Sequence, residues 1–330
     1  MAGGPRPVNR KASRRWRGGG AAATLGPVKV TDILRFARER GEPVFSFEFF
    51  PPKTEEGERQ LFRTVEALRP LGPAFVSVTY GAGGSDRERT LSLVKRLKRD
   101  VEVEAVAHLT CVGSPRDEIA RVLDEVAGAG IQNLLALRGD PPRGEKAFVA
   151  HPEGFRHARE LVAFVRSRPD RWPLCVGAAA YPEGHVETRD LARDLQHLKE
   201  KVDAGADFLV TQLFFENQHY FRFVERARAA GIGVPVIPGV MPLTSVEQIE
   251  RFTAMCGASI PALLRAAMEV RRADADGALQ LGVAYATLQC ADLLRRGAPG
   301  IHFYTLNRSP SSRAILAALR AAAPWRDAGP

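Results

Sequence analysis

The sequence predicts an α/β protein whose main body is a closed (β/α)8 barrel, the TIM barrel. From Val44 onward, short apolar runs rich in β-forming residues alternate with longer segments of helical periodicity, a pattern typical of parallel βαβ units. Eight such runs can be counted, and no separate second core follows them. Because no G-x-G-x-x-G fingerprint comes after the first run, the closed barrel is favoured over an open nucleotide-binding sheet.

The predicted strands are short, and the segments between them show helical periodicity. The eight strands cover residues 45–50, 75–80, 104–111, 133–139, 174–181, 208–214, 234–241 and 301–306. Connecting helices are predicted at residues 57–68, 86–99, 115–128, 154–167, 188–204, 217–230 and 244–255, and two extra helices at 259–272 and 276–296 precede the last strand. The fifth helix has one apolar stripe, formed by Leu191, Leu195, Leu198 and Val202.

Composition and charge place most of the chain among ordinary globular proteins. Apolar residues make up 45% and charged residues 26% of the 330 positions. The net charge of +9 falls to about +2 once the seven cations that precede the first acidic residue are subtracted, so the barrel itself gives no nucleic-acid signal. These cations are Arg6, Arg10, Lys11, Arg14, Arg15, Arg17 and Lys29.

Residues 1–29 are predicted to form a disordered basic extension, followed by a single domain at residues 30–330. The extension combines glycine, alanine, proline and arginine with almost no apolar periodicity, so it cannot bury enough surface to offset the entropy lost on ordering. An arginine-rich start is also compatible with a transit peptide. Only Ser13 and Thr24 are hydroxylated, however, and no amphipathic stripe is present, so a solvated extension is favoured.

Several kinds of chemistry find no support in the sequence. The four cysteines are far apart and form no C-x-x-C pair, and no H-E-x-x-H or G-x-S-x-G motif is present, so neither a metal site nor a serine nucleophile is predicted. Cysteines without a pairing pattern favour a cytoplasmic location. The longest uncharged run, residues 229–246, contains three prolines, which argues against a membrane span.

Polar side chains cluster at the carboxyl ends of the predicted strands, where barrel enzymes carry their active sites. Seven of the eight strands contribute to this set. Its members are Glu48, Thr79, His108, Arg138, Asp140, Tyr181, His185, Gln212, Asn307 and Arg308. A wide mouth of mixed polarity suits a large cofactor better than a compact hydrolytic site.

Glu48 lies in the segment FSFEFF, where strand alternation directs its side chain into the barrel, among aromatic residues. Desolvation there is expected to raise its pKa, so that it can serve as a general acid near neutral pH. The alternative is a structural ion pair between Glu48 and a neighbouring arginine.

Three further features each allow two interpretations. The glycine-rich segment at residues 81–84 either admits a phosphate near a helix N-terminus or makes a tight turn. His108, taken alone, is more often a satisfied core histidine than a ligand. Asp194, His197 and Lys201 share one helical edge, for which a solvated charged face is the default explanation.

From about residue 44 to residue 320, these strand ends resemble those of the methylenetetrahydrofolate reductase family, in its bacterial form that consists of the catalytic domain only. Eight segments carry the resemblance, in order along the chain. They are FSFEFFPPKT at 45–54, VTYGAGGSDRERT at 78–90, HLTC at 108–111, LRGDPP at 137–142, AAYPEGH at 179–185, KVDAGADFLVTQLFF at 201–215, PGVMP at 238–242 and HFYTLNR at 302–308.

The resemblance implies an FAD-dependent barrel that reduces 5,10-methylenetetrahydrofolate to 5-methyltetrahydrofolate, in the one-carbon metabolism that supplies methionine synthesis. In such a ping-pong route, NADH or NADPH first gives a hydride to the flavin and leaves, and the folate then occupies the same face. The resemblance also implies a cytoplasmic homo-oligomer that binds small molecules and neither nucleic acid nor membrane.

The family's functional positions transfer to this chain residue by residue. Glu48 matches the acid that opens the imidazolidine ring of the folate, and Asp140 matches the aspartate that favours the cationic iminium. Folate contacts are also implied for Gln212, Gln248, Phe252 and Arg308. Flavin contacts are implied for Thr79, Tyr80, Ala82, His108, Arg138, Gly139, Asp140, Ala158, Tyr181, His185, Asp194 and Lys201. The glycine-rich segment and the Asp194 edge are thereby interpreted as parts of the cofactor site.

Two other functions stay open. One is a related flavin barrel that oxidises an amine, such as a proline dehydrogenase, against which the segments LRGD at 137–140 and TQLFF at 211–215 argue. The other is a non-catalytic barrel that binds folate or nucleic acid, in which the basic extension is the functional segment. The presence of both Glu48 and Asp140 argues against such a loss of activity.

Overall fold

A computed structural model describes residues 28–80, 87–140, 149–188, 190–308 and 310–327. Over these residues the strands form one parallel sheet that curls into a nearly closed barrel, and the predicted fold class is confirmed. The strands are β1 Val44–Phe49, β2 Phe75–Val78, β3 Ala105–Thr110, β4 Asn133–Leu137, β5 Cys175–Ala180, β6 Phe208–Thr211, β7 Val236–Ile237, β8 Gly239–Val240 and β9 Gly300–Tyr304. In space they follow the order β7, β6, β5, β4, β3, β2, β1, β9, β8.

Pro238 divides the predicted seventh strand, residues 234–241, into the two short strands β7 and β8. β7 pairs with β6, whereas β8 pairs with β9, so the two ends of the sheet meet at this proline. Proline has no backbone N–H to give to a ladder, and therefore interrupts one. Its carbonyl still accepts a hydrogen bond from His302 N at 2.9 Å, which joins the two sides of the barrel wall.

Helices cover the outside of the barrel, and all nine predicted helices are present, most with shifted ends. The helices are α1 Val30–Glu39, α2 Glu55–Leu68, α3 Arg87–Asp100, α4 Arg116–Gly128, α5 Ala158–Arg166, α6 Leu191–Asp203, α7 Asn217–Ala229, α8 Val246–Cys256, α9 Ala262–Glu269, α10 Ala275–Arg295 and α11 Pro310–Ala322. Helices α1 and α11 were not predicted from the sequence. Helix α5 begins at Ala158, four residues later than expected.

Strand alternation divides the apolar residues of β1 as expected. Phe45, Phe47 and Phe49 are buried in the main core between the barrel wall and the helices. A second buried cluster lies at the amino ends of the strands, where α1 packs Val30 and Ile33 against residues such as Phe75 and Phe208. Helix α1 thus closes one end of the barrel and leaves the carboxyl ends of the strands as the open mouth.

A buried polar clamp holds the chain before α1 to the barrel. Asn133, at the start of β4, accepts a hydrogen bond from Val30 N at 2.8 Å and donates to Val28 O at 2.9 Å. Glu104 accepts from Val28 N and from Lys98 Nζ, so each partner in the clamp is satisfied. Val28, within the predicted extension at residues 1–29, is thus bonded to the barrel, whereas residues 1–27 lie outside the described part of the chain.

Within the described residues, no helix combines the length and the apolar character needed to cross a membrane.

Candidate active site

Two adjoining cavities open at the carboxyl ends of the strands. The central cavity has a volume of about 420 Å³. Of the predicted site residues it is lined by Glu48, Thr79, Tyr80, His108, Arg138, Gly139, Asp140, Tyr181, His185, Gln212 and Phe252. The side cavity, of about 520 Å³, lies towards α5 and α6. Its predicted members are Arg138, Ala158, Tyr181, His185, Asp194 and Lys201.

Three of the residues with implied flavin or folate contacts are not among those that line the cavities. Gln248 and Arg308 line neither cavity, and Ala82 lies outside the described residues, as does the rest of the glycine-rich segment. Gln248 lies in the first turn of α8, where its Oε1 accepts a hydrogen bond from Thr244 N at 2.8 Å. In this arrangement the amide of Gln248 is engaged with the start of its own helix.

Glu48, the penultimate residue of β1, faces two imidazoles. Its Oε2 lies 3.5 Å from His108 Nε2 and 3.5 Å from His302 Nε2, and its side chain is 19% exposed. The expected location inside the barrel, among aromatic residues, is confirmed: Phe50, Tyr80 and Tyr304 line the same cavity as Glu48. Phe45 and Phe47 lie on the other face of β1, in the main core. Among the described residues, the groups that can carry an opposite charge near Glu48 are these two histidines, so the alternative of an arginine ion pair gains no support.

His302 is a site residue that sequence reasoning missed. Its Nδ1 lies 2.7 Å from Ser46 Oγ and it is almost completely buried beside Glu48. The parallel register pairs Ser46 with His302 and Glu48 with Tyr304 across β1 and β9. The motif HFYTLNR contains this histidine, but only the pairing of two strands far apart in the chain places it against Glu48.

His108, on β3, is not a satisfied core histidine. Its Nε2 is buried without a hydrogen-bond partner, since the approach to Glu48 at 3.5 Å does not make one. The pKa of His108 is lowered to about 4, chiefly because the ring is buried; Glu48 opposes the shift and His302 adds to it. The imidazole is therefore neutral at pH 7. Thr110, two residues along the same strand, also has a buried hydroxyl without a partner and lines the central cavity.

The segment after β4 holds a backbone turn that only glycine fits. Gly139 has φ +92°, and a Cβ built there would lie 2.6 Å from Val112 Cγ1. On one side of it Arg138 donates both guanidinium arms to Glu187, at 2.6 and 2.7 Å. On the other side Asp140 is exposed at the mouth. The turn thus brings a cation and a carboxylate to the boundary between the two cavities.

The Asp194 edge of α6 lies against the side cavity, which argues against a simple solvated face. Asp190 caps α6 by accepting hydrogen bonds from Ala192 N and Arg193 N. Burial lowers the pKa of Lys201 to about 8, against the opposing effect of Asp194, and Lys201 Nζ donates to Ala179 O at 2.6 Å. Burial also raises the pKa of Asp194. A lysine and an aspartate that interact electrostatically therefore line this wall.

The opposite wall of the central cavity is formed by β6 and α8. Gln212 directly follows β6, where its N donates to Ala180 O at 2.7 Å and its Oε1 accepts from Leu213 N. Ser245 caps α8 by accepting from Gln248 N at 3.2 Å, and Phe252 lies one turn further along the helix and lines the cavity. An aromatic ring and an amide thus oppose Glu48 and Asp140 across the mouth.

A closed parallel barrel with acid, amide and aromatic side chains at the carboxyl ends of its strands defines a TIM-barrel enzyme. Its family follows from comparison with known proteins. A family model described as methylenetetrahydrofolate reductase matches residues 33–320, and the chain belongs to that family. The resemblance found in the sequence is thereby confirmed.

Named relatives agree with this assignment. The chain is 40% identical over 298 residues to methylenetetrahydrofolate reductase (NADH) 1 of Arabidopsis thaliana, covering 88% of this chain and 50% of the relative. It is 39% identical over 279 residues to 5,10-methylenetetrahydrofolate reductase of Escherichia coli, covering 84% of this chain and 91% of the relative. The chain thus spans about half the length of the plant relative and most of the bacterial one.

Among solved structures, the fold is similar to that of an uncharacterized protein from Clostridium thermocellum that binds two copies of 5-methyl-5,6,7,8-tetrahydrofolic acid. The TM-score is 0.58 at 18% identity, with 88% of this chain and 98% of that chain covered. At this level of identity the likeness concerns the fold.

Proposed function

We propose that the protein reduces 5,10-methylenetetrahydrofolate to 5-methyltetrahydrofolate with FAD as its bound cofactor and NADH or NADPH as hydride donor, in a ping-pong sequence within the one-carbon metabolism that supplies methionine synthesis. Residues 30–330 are proposed to act as one flavin-binding catalytic domain. The observation that carries the proposal is the placement of Glu48 deep in a cavity that Asp140, Gln212 and Phe252 also line.

The residues present fit an elongated flavin nucleotide. The central and side cavities share Arg138, Tyr181 and His185, so one ligand can extend through both. The enclosed Lys201 supplies positive charge on the side-cavity wall, and the unpartnered His108 Nε2 is available in the central cavity. Ala158 and Asp194 would complete the side-cavity wall, and Thr79, Tyr80 and Gly139 the central one. When bound, the flavin supplies a carrier that takes a hydride from the nicotinamide and gives it to the folate.

Glu48 is proposed to donate the proton that opens the five-membered imidazolidine ring of the folate. Ring opening needs an acid at an amine nitrogen, and the resulting iminium is the electrophile that receives hydride. The neutral His108 leaves the carboxyl group without a permanent cationic partner on that side. His302 Nε2 approaches the same carboxyl oxygen at 3.5 Å, and His302 is itself positioned by Ser46, whose Oγ lies 2.7 Å from its Nδ1.

Asp140 is proposed to stabilise the cationic iminium from the mouth of the cavity, because a fixed negative charge favours a positive charge that develops nearby. Gln212 and Phe252 are proposed to hold the pterin by hydrogen bonding and stacking. Gln248 and Arg308 stay predictions from the family resemblance, as does Ala82 for the flavin. The homo-oligomeric state and the cytoplasmic location are likewise expectations from the family, and light scattering on the purified protein tests the first.

The test separates the two half-reactions under anaerobic conditions. FAD-loaded protein is bleached by NADH or NADPH, and its absorbance is then restored by methylenetetrahydrofolate. Glu48→Gln is expected to keep the bleaching step within a few-fold and to slow the folate step by at least 100-fold, within the range that general acids contribute. Loss of both steps in this variant would contradict the role of Glu48 as acid.

The same measurement decides between the alternatives. Reoxidation by a proline-derived imine, with proline itself bleaching the flavin and methylenetetrahydrofolate having no effect, would favour the amine-oxidising barrel. Protein that stays colourless when FAD is added would favour the non-catalytic barrel. If the protein then bound DNA or RNA in a salt-sensitive way, and this binding were lost on deleting residues 1–29, the extension would be identified as the nucleic-acid-binding segment.

A further inference from the structure

The carboxylate of Glu183 connects the loop after β5 to the segment between α8 and α9. Glu183 lies in the loop after β5, where its Oε2 accepts hydrogen bonds from Ser259 N at 3.0 Å and from Ser259 Oγ at 2.5 Å. Ser259 belongs to the short connection between α8 and α9. His219, in the first turn of α7, places Nε2 3.3 Å from Ser259 Oγ and 3.6 Å from Glu183 Oε2. The contact among Glu183, Ser259 and His219 is called the joint below. The Glu183 side chain is only 14% exposed, so the joint is largely shielded from water.

A close backbone approach supports the same joint. Gly257 ends α8 with φ +76°, and a Cβ built on it would lie 2.7 Å from Val186 Cγ1. Val186 belongs to the same loop as Glu183. The end of α8 therefore contacts the loop after β5 at two separate points, one polar and one apolar, with no room for an added methyl group at the second.

Each of the joined segments carries residues of the proposed site. The loop after β5 presents Tyr181 and His185, which line both cavities. The end of α8 presents Phe252 and Cys256 to the central cavity. The joint thus sets the distance between the wall proposed for the flavin and the helix proposed for the folate.

We propose that Glu183 is a positioning residue for the folate: by holding the end of α8 against the loop after β5, it fixes Phe252 over the substrate side of the central cavity. This inference rests on the proposed function. Cutting the joint releases α8 rather than the loop, because Arg138 and Glu187 still hold the loop through two hydrogen bonds at 2.6 and 2.7 Å. The effect therefore falls on folate binding and leaves the flavin in place.

The test compares Glu183→Ala, Ser259→Ala and the double variant in the FAD-loaded full chain. Glu183→Ala is expected to raise the KM for methylenetetrahydrofolate about tenfold and to change the FAD dissociation constant less than twofold. Ser259→Ala removes the hydroxyl but keeps the backbone bond, so a smaller rise of about threefold is expected. If the two residues act through one joint, the double variant is no worse than Glu183→Ala alone. Glu183→Gln, which keeps an oxygen for Ser259 N, is expected to recover much of the lost affinity.

Asp124→Ala is the matched control. Asp124 also bridges two segments, through Arg171 and Trp172, but it does so away from both cavities. It is expected to lower the melting temperature and to leave the KM unchanged. Additive effects of Glu183→Ala and Ser259→Ala, or a loss of FAD equal to the loss of folate, would overturn the proposal. Wild-type protein that binds FAD but does not turn over methylenetetrahydrofolate would instead refute the proposed function.

Discussion

At the scale of single residues, the turn after β4 is the most sharply constrained part of the site. Gly139 adopts a left-handed backbone conformation that side chains disfavour, and its missing Cβ makes space for Val112 and Thr110. Its neighbours Arg138 and Asp140 both face the mouth. A backbone requirement at one glycine therefore sets the positions of two charged groups.

Gly139→Ala is expected to destabilise the protein by about 2 kcal/mol or more, since the added methyl group meets Val112 Cγ1 at 2.6 Å in a strained conformation. FAD binding should weaken as well, because the turn must shift. Urea unfolding measures the first effect and flavin fluorescence titration the second. Gly128→Ala, at the end of α4 with nothing within 4 Å of the added Cβ, serves as the control and is expected to be neutral or slightly stabilising.

His108 makes stability depend on pH in a defined direction. Its pKa is about 4 in the folded chain against 6.5 when unfolded, so the unfolded state binds the proton first as the pH falls. Stability that is present above pH 6.5 is lost progressively down to pH 4, by about 3 kcal/mol in all. His108→Asn should flatten this part of the curve of unfolding free energy against pH. Parallel curves for the two proteins would contradict the buried, neutral state of His108.

The sequence located Glu48 correctly because strand alternation is local, with a period of two residues. His302 lies more than 250 positions further along the chain, and no local pattern connects it to Glu48. The same limit applies to Glu183 and Ser259, which meet only after the helices have packed. Local periodicity therefore predicts which way a side chain faces, whereas its partners follow from long-range pairing.

At the scale of secondary structure, the differences between prediction and structure follow from specific residues. Pro238 splits the seventh strand because it cannot donate to a ladder, and apolar periodicity does not reveal this. Helix α1 was missed because only the one face formed by Val30, Ile33, Leu34 and Ala37 is apolar and the preceding residues resemble a disordered tail. Its stability comes from the barrel rather than from its own sequence.

Asn133→Leu tests how much the clamp contributes to holding α1. The change leaves Val30 N without a partner in a buried position and Val28 O without one in a half-buried position, so a loss of about 2 to 4 kcal/mol of unfolding free energy is expected. Chemical denaturation followed by far-ultraviolet circular dichroism provides the measurement. Gln280→Ala, an exposed amide on α10, is the control and should change stability by less than about 0.5 kcal/mol. A neutral Asn133→Leu would mean that α1 is held by apolar contacts alone.

At the scale of the whole molecule, the barrel brings residues from distant parts of the chain together around one ligand-sized site. Parallel strands bring all their carboxyl ends to one side, while α1 closes the other. The central and side cavities adjoin and share lining residues, an arrangement that suits a ligand with two parts. Both cavities are therefore expected to contribute to cofactor affinity.

FAD is consequently expected to stabilise the protein more than FMN at equal concentration, because only FAD carries a second nucleotide part that reaches the side cavity. A ligand at 100 times its dissociation constant adds about 2.7 kcal/mol to the unfolding free energy, which a thermal shift assay detects readily. Riboflavin is the control for the ring alone. Equal shifts with FAD and FMN would show that the side cavity takes no part in cofactor binding.

The split at Pro238 has a consequence for motion. β7 and β8 contain two residues each, so the barrel is joined there by fewer backbone hydrogen bonds than elsewhere in its wall. Backbone amide hydrogens of β7 and β8 are therefore expected to exchange with solvent sooner than those of β1 or β3, because these two short strands are the least protected. Helix α8 begins six residues after β8 ends, so local opening of these strands would also move the cavity wall that carries Phe252. The side of the barrel that carries Glu48 and His108 would stay rigid.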